Sequence, residues 1–271
     1  MESLRLLAIM AHPDDETLGM GGTLARYASE GIETYLVTAT RGQAGRFREL
    51  KRGEPGHPGA EKLGTIREQE LHAAARVLGM REVALLDYMD GQLDKADPHE
   101  ATAQIARHIR RIRPQVVVTF AQDGAYGHPD HIAICQFTTA AIVVAADPAR
   151  TDLGHAPHAV SKLYLMAWNE GAWAAYQEAF KKLTSTVDGV ERQANPWPDW
   201  QLTTRIDTRA YWPTVWRAVQ CYESQVANYA TLGTLSPESH EGLWGRDTFY
   251  RVFSTVNGGR ARETDLFEGL R

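Results

Sequence analysis

Residues 11–16 read AHPDDE and residues 126–131 read YGHPDH. Both place imidazole and carboxyl groups around a proline, and both follow an apolar run, LRLLAIM (4–10) in one case and QVVVTF (115–120) in the other. Either motif alone fits helix capping, because acids in a first turn complement the helix dipole by ~0.3–1 kcal/mol each and proline suits the first helical position. Two such junctions in one chain point to chemistry. If the two strands are neighbours with their helices on opposite faces, His12, His128, His131, Asp14, Asp15, Glu16 and Asp130 share one crevice. That crevice lies at the carboxyl ends of the strands, where open α/β sheets bind their ligands. So many carboxylates repel one another until a divalent cation neutralises them. Nitrogen and oxygen donors without thiolate suit a His/His/carboxylate centre with an open position, the arrangement of hydrolytic rather than structural zinc.

Other chemistries fit less well. LGMGGTL (18–24) carries Gly19, Gly21 and Gly22, but Leu24 stands where a dinucleotide fingerprint has its third glycine, and Asp14, Asp15 and Glu16 would face a pyrophosphate. No GxSxG is present, and Cys135 sits in an apolar helical stretch as an inert thiol would. Cys135 and Cys221 lack any CxxC spacing, so neither a disulfide framework nor a thiolate zinc site is indicated.

The elements that must position these residues are legible as alternating patterns. LRLLAIM, TYLVTAT, EVALLDY and QVVVTF are short apolar runs, each separated from the next by an amphipathic stretch, which predicts a parallel α/β sheet. Leu71, Ala74, Ala75 and Leu78 fall at helical spacing, with Gly79 placed to end the helix. Ile105, Ile109 and Ile112 line one face of the next helix, Arg107, Arg110, Arg111 and Arg113 read as its solvated face, and Pro114 ends it.

After about residue 147 the punctuation changes to loops rich in Pro, Gly, Asp and Asn around KLYLMAW and one further helix. All seven tryptophans (168, 173, 197, 200, 212, 216 and 244) fall here. They read as bulky core filler, with the alternative that one or two floor a pocket for a sugar ring. His155 and His158 in a loop read as solvated. The expected organisation is a single domain over 1–271, with 1–146 the Rossmann-like metal-site part and 147–271 a Trp-rich extension shaping the substrate pocket.

At 271 residues and 43% hydrophobic, the chain can bury a full core. Its formal charge of −5 provides no basic field for nucleic acid and favours a small-molecule partner. Few cysteines, no cleavable leader and no run near the ~18 apolar residues of a membrane span predict a cytoplasmic protein without membrane partners. Homo-oligomerisation is left open.

AHPDDE and YGHPDH together resemble the two signatures of the LmbE-like, or PIG-L, family of zinc-dependent N-deacetylases, and TRGQAG (40–45) and GTIREQEL (64–71) resemble its intermediate segments. The resemblance is close over roughly residues 4–140 and loose beyond. It implies that His12, Asp15 and His131 hold Zn2+ and that Asp14 is the general base on the metal-bound water. It further implies that His128 is the cationic acid for the oxyanion and the leaving amine, that Asp130 orients its neighbours, and that Tyr126 lends a hydroxyl near the oxyanion. The family often carries His-x-Ser-Gln near the C-terminus; here CYESQ puts Tyr222 in the histidine's place.

These roles fit general chemistry, since zinc lowers the pKa of a bound water from ~15.7 to ~7, within reach of a carboxylate base, and an oxyanion needs preorganised donors. The expected activity is removal of an acetyl group from the nitrogen of an N-acetylglucosamine-type sugar or glycoconjugate. The rivals are an amidase acting on a larger thiol or antibiotic conjugate, with RGQAGRFRELKRG (41–53) as its variable wall, and a metal-dependent sugar-binding module without turnover. Arg67 opens the segment REQEL, and the resemblance places it near the substrate, where a guanidinium can fork onto aglycone oxygens. The alternative is a surface i,i+3 pair with Glu70.

Overall fold

A computed structural model describes residues 3–180, 184–187, 189–225 and 230–271. Five parallel strands, β1 (Arg5–Met10), β2 (Glu33–Thr40), β3 (Glu82–Tyr88), β4 (Val116–Thr119) and β5 (Lys162–Met166), alternate with α1 (Asp15–Ser29), α2 (Ala60–Leu78), α3 (Pro98–Ile112), α4 (Gly124–Gly127) and α5 (Pro129–Ala146). The chain continues through α6 (Glu170–Phe180), a separate hairpin of β6 (Thr184–Val187) and β7 (Val190–Gln193), β8 (Thr204–Asp207), α7 (Trp212–Val219), α8 (Pro237–Trp244) and β9 (Arg246–Ser254). The large sheet runs β3-β2-β1-β4-β5-β9-β8, parallel from β3 to β5, with β9 antiparallel to both of its neighbours. The mostly parallel α/β fold is therefore as the sequence predicts, and the C-terminal part supplies three of the seven strands.

The central strands are apolar on both faces because helices cover both. Leu6, Leu7, Ile9 and Met10 of β1 are fully buried, each side chain contributing ~1.5–3 kcal/mol from burial. Gly79, at φ 75° in the left-handed region, ends α2 where predicted. The glycines of α1 serve close packing: a Cβ on Gly22 would lie 2.6 Å from the Cβ of Thr208.

Two expectations are corrected. Arg110 is buried, and its guanidinium donates to the carbonyls of Ala145 (2.9 Å), Asp147 (2.5 Å), Arg150 (2.7 Å) and His155 (3.0 Å), so it caps the C-terminus of α5 instead of facing water. Helix α5 itself has the length and apolarity of a membrane span, 18 residues at a mean hydropathy of 1.3, although no such run was expected. It is apolar all round because it is a core helix: 56% of it is buried in the protein, and its first turn carries Asp130 and His131.

The sheet reverses order between β1 and β4, since β1 crosses to β2 on one side while β4 leads to β5 on the other. AHPDDE leaves the end of β1 and YGHPDH lies beyond the end of β4. The two motifs therefore meet at a topological switch point, where ligands of such sheets bind.

Candidate active site

His12 and His131 face each other across this crevice, with Nδ1 of His12 3.2 Å from Nε2 of His131. One Asp15 oxygen lies 3.5 Å from His12 Nδ1 and the other 3.5 Å from His131 Nε2. Each ring is oriented through its second nitrogen. His12 Nε2 lies 3.1 Å from carboxylate oxygens of both Asp130 and Asp90, and His131 Nδ1 lies 3.2 Å from the carbonyl of Gly124. A proton on each of those outer nitrogens leaves Nδ1 of His12 and Nε2 of His131 as lone pairs. Two lone pairs and a carboxylate pointed together suit a cation among them. Metal–ligand bonds of ~2.0–2.1 Å in a tetrahedral centre separate donor atoms by ~3.3 Å, which the observed 3.2 and 3.5 Å match.

The electrostatics agree. Burial works against a charge on His12, but hydrogen bonds to Asp130, Asp15 and Asp90 hold its pKa well above the usual value. Burial pushes His131 down to about 3, so its ring is neutral as a ligand must be. Asp15 is buried yet held low by His131 and His12. A proton on His12 occupies the electrostatic place that a metal ion would take.

The remaining residues surround a cavity of about 380 Å³ lined by His12, Asp14, Asp15, Arg67, Asp90, Tyr126, His128 and Gln225 among others. Asp14 caps α1 with a backbone at φ 103°, ψ −24°, a left-handed conformation that costs a non-glycine residue ~1–3 kcal/mol unless its surroundings hold it. Arg67 holds it: its guanidinium donates to Asp14 Oδ2 at 3.0 Å, to the Pro13 carbonyl at 2.5 Å and to the Gly42 carbonyl at 3.0 Å. Arg67 lies in the middle of α2 and is buried, so neither a helix-opening position nor a surface pair with Glu70 is found. Glu70 instead accepts from Ser224, through its N–H at 2.6 Å and its hydroxyl at 2.7 Å.

His128 caps α5, its Nδ1 accepting from the Asp130 N–H at 3.2 Å. That bond places the ring proton on Nε2, and burial together with the charge on His12 pushes the His128 pKa below its usual value. Both effects favour the neutral ring over the cationic form expected. The Asp130 carboxylate serves His12 and the N–H groups of Gly91 (2.7 Å) and Leu93 (3.0 Å). Tyr126 stands beside both imidazoles, its ring centroid 5.4 Å from that of His131 and 5.9 Å from that of His128.

Asp90 escaped the sequence reading. It follows β3 much as Asp14 and Asp15 follow β1, and an acid just beyond the carboxyl end of a third parallel strand was the available signal. No tryptophan lines this cavity among the described residues; Trp173 and Trp244 are core, while Trp200 is exposed.

A nitrogen/oxygen donor set of this kind, at the switch point of an open α/β sheet and beside a pocket-lining carboxylate, defines a metal-dependent hydrolase. Residues 7–142 match the family described as PIG-L, GlcNAc-PI de-N-acetylase. The chain is 36% identical to the 1D-myo-inositol 2-acetamido-2-deoxy-alpha-D-glucopyranoside deacetylase of Thermobifida fusca (strain YX), over 98% of this chain and 100% of that one. The protein belongs to the PIG-L family and is a deacetylase of that family. Its fold is shared with GalB, the 4-carboxy-2-hydroxymuconate hydratase of Pseudomonas putida KT2440 (TM-score 0.71, 20% identity, 95% of this chain and 100% of that chain). It is shared also with the N,N'-diacetylchitobiose deacetylase of Pyrococcus horikoshii (TM-score 0.65, 19% identity, 93% and 84%).

Proposed function

We propose that the protein hydrolyses the acetamide of an N-acetylglucosaminyl conjugate, with N-acetylglucosaminyl-inositol as the first substrate to test, because that compound names the relative's activity. The observation that supports this reading most strongly is the convergence of His12 Nδ1, Asp15 and His131 Nε2 beside Asp14 in a cavity of about 380 Å³. Zinc is the metal best suited to those donors. When bound, it supplies acidification of water and polarisation of the acetyl carbonyl.

The chain's own residues do the rest. Asp14 takes the proton of the attacking water as the water oxygen bonds to the acetyl carbon, and returns it to the sugar nitrogen as the C–N bond breaks, leaving acetate and a free amine. His128 donates its Nε2–H to the oxyanion that develops, a task a neutral ring performs, and Tyr126 adds a hydroxyl. Asp90 and Asp130 fix the tautomer of His12. The whole chain acts as one domain, a reading supported by the three strands and the pocket-lining Gln225 that residues 147–271 contribute.

The test is amine release from 1D-myo-inositol 2-acetamido-2-deoxy-alpha-D-glucopyranoside and from N-acetylglucosamine, with and without a chelator. Chelator-sensitive release from the former supports the reading. No release from either, alongside cleavage of a larger thiol or antibiotic amide, would replace it with the amidase rival.

A further inference from the structure

The strained backbone of Asp14 has a second support, built from residues outside the pocket. The Asp14 N–H donates to Glu16 Oε2 at 3.1 Å, and Glu16 is fully buried. The other oxygen of the same carboxylate, Oε1, accepts from the hydroxyl of Tyr222 at 2.5 Å and from the hydroxyl of Thr17. Tyr222 is itself fully buried, just beyond α7, a helix that packs against both α1 and α2. The residues that follow extend the same clasp. Ser224 binds Glu70 on α2, one turn from Arg67, and Gln225 donates to the Arg46 carbonyl at 2.8 Å and lines the cavity. One short segment, Tyr222 to Gln225, therefore grips the two helices that carry the two supports of Asp14.

We propose that Tyr222 is a positioning residue for the reaction: its hydroxyl anchors one oxygen of Glu16 so that the other holds the Asp14 N–H, fixing the left-handed backbone that aims the Asp14 carboxylate into the cavity. The inference rests on the reading of Asp14 as the base. A phenol suits the task, because a rigid donor on a buried ring fixes a carboxylate with little conformational freedom to lose. Without the phenol, Oε1 keeps only the hydroxyl of the adjacent Thr17, so the carboxylate is held less firmly and its bond to Asp14 weakens. Displacing a proton-transfer group by ~1 Å costs about a hundredfold in rate.

The zinc-loaded enzyme provides the test, with 1D-myo-inositol 2-acetamido-2-deoxy-alpha-D-glucopyranoside as substrate. Tyr222→Phe should lower kcat by about ten- to a hundredfold while KM and bound zinc stay within about twofold. Tyr222→His, which keeps a ring N–H donor on a shorter side chain, should recover part of that loss. In an Asp14→Asn background the Tyr222→Phe loss should vanish, because nothing remains to be aimed. A merely structural tyrosine would instead lower zinc content and the melting temperature, and its effect would persist in that background. Glu16→Gln carries the test if Tyr222→Phe does not fold: its amide cannot accept from both sides, so kcat should fall with zinc retained. Full kcat in a folded Tyr222→Phe or Glu16→Gln, or an additive loss in the Asp14→Asn background, overturns the proposal. Full kcat in Asp14→Asn alone would instead overturn the reading of Asp14 as base.

Discussion

His12 Nδ1 and His131 Nε2 lie 3.2 Å apart while each ring places its other nitrogen against a fixed acceptor, so two lone pairs are aimed at one point. Such a pair is held together either by a proton shared between the rings or by a cation. In its absence the site keeps a proton on His12, and metal binding must expel that proton.

One zinc per chain should therefore bind with release of a proton, observable as buffer-dependent heat in calorimetry. His12→Ala should abolish binding. Because the metal binds the folded state alone, zinc at 1,000 times its Kd should add ~4 kcal/mol to stability, seen as a higher melting temperature that a chelator reverses. Equal melting temperatures with and without zinc would show that the donors do not close on a metal.

Asp14 and Asp15 are adjacent, yet only Asp15 reaches both His12 and His131. Asp14→Asn should keep zinc and lose about a hundredfold or more in kcat, as expected for a lost base, whereas Asp15→Ala should lose zinc. Elemental analysis beside kinetics separates the two, and exchanged phenotypes would reverse the assignment.

His128 uses Nδ1 to accept the Asp130 N–H, which leaves Nε2–H as the donor in the proposed mechanism. His128→Gln, which keeps an N–H donor, should retain about tenfold more kcat than His128→Ala. Equal losses in the two variants, with an alkaline limb abolished in both, would restore the cationic acid.

How much of this could be read from the chain depends on whether the signal is local. β1 to β4 and the two motifs after β1 and β4 are local patterns, and both motifs arrive where the alternation of strands and helices places them. β9 was not legible: Asp247 and Arg251 interrupt its apolar residues, and it becomes a strand by pairing with β5, more than 80 positions earlier. Arg110 reads as surface from its neighbours, and only the distant end of α5 gives its guanidinium a reason to be buried. Arg67 is different. It stands four residues after Leu63 and four before Leu71, on the buried stripe of α2, so helical periodicity already places it inside.

That burial changes what Arg67 should do. Because its guanidinium is spent on Asp14, Pro13 and Gly42, Arg67→Ala should reduce kcat/KM for bare N-acetylglucosamine as much as for a conjugate with a polar aglycone. Removing the buried guanidinium from the pocket carboxylate should also cost ~3–5 kcal/mol in urea unfolding. A loss confined to the conjugate would show that Arg67 reaches the aglycone.

The last expectation concerns Asp247, a buried carboxyl far from the site in sequence whose side chain, among the described residues, accepts from Thr23 of α1. Burial pushes its pKa from 3.8 up to about 6, although the N–H of Thr23 at 2.8 Å and its hydroxyl at 2.7 Å, both donating to Oδ2, pull the other way. The folded state thus holds the Asp247 proton more tightly than the unfolded chain does. Its contribution to stability is fully present below the unfolded value of 3.8 and is lost as pH rises through about 6. Asp247→Asn keeps an acceptor for both Thr23 donors and cannot ionise. Its stability relative to the native protein should therefore rise between about pH 4 and pH 7, by up to ~3 kcal/mol for a shift of about two pKa units. Urea unfolding of both proteins across that range measures the difference directly, and parallel stability curves would mean that Asp247 titrates alike in the folded and unfolded chains.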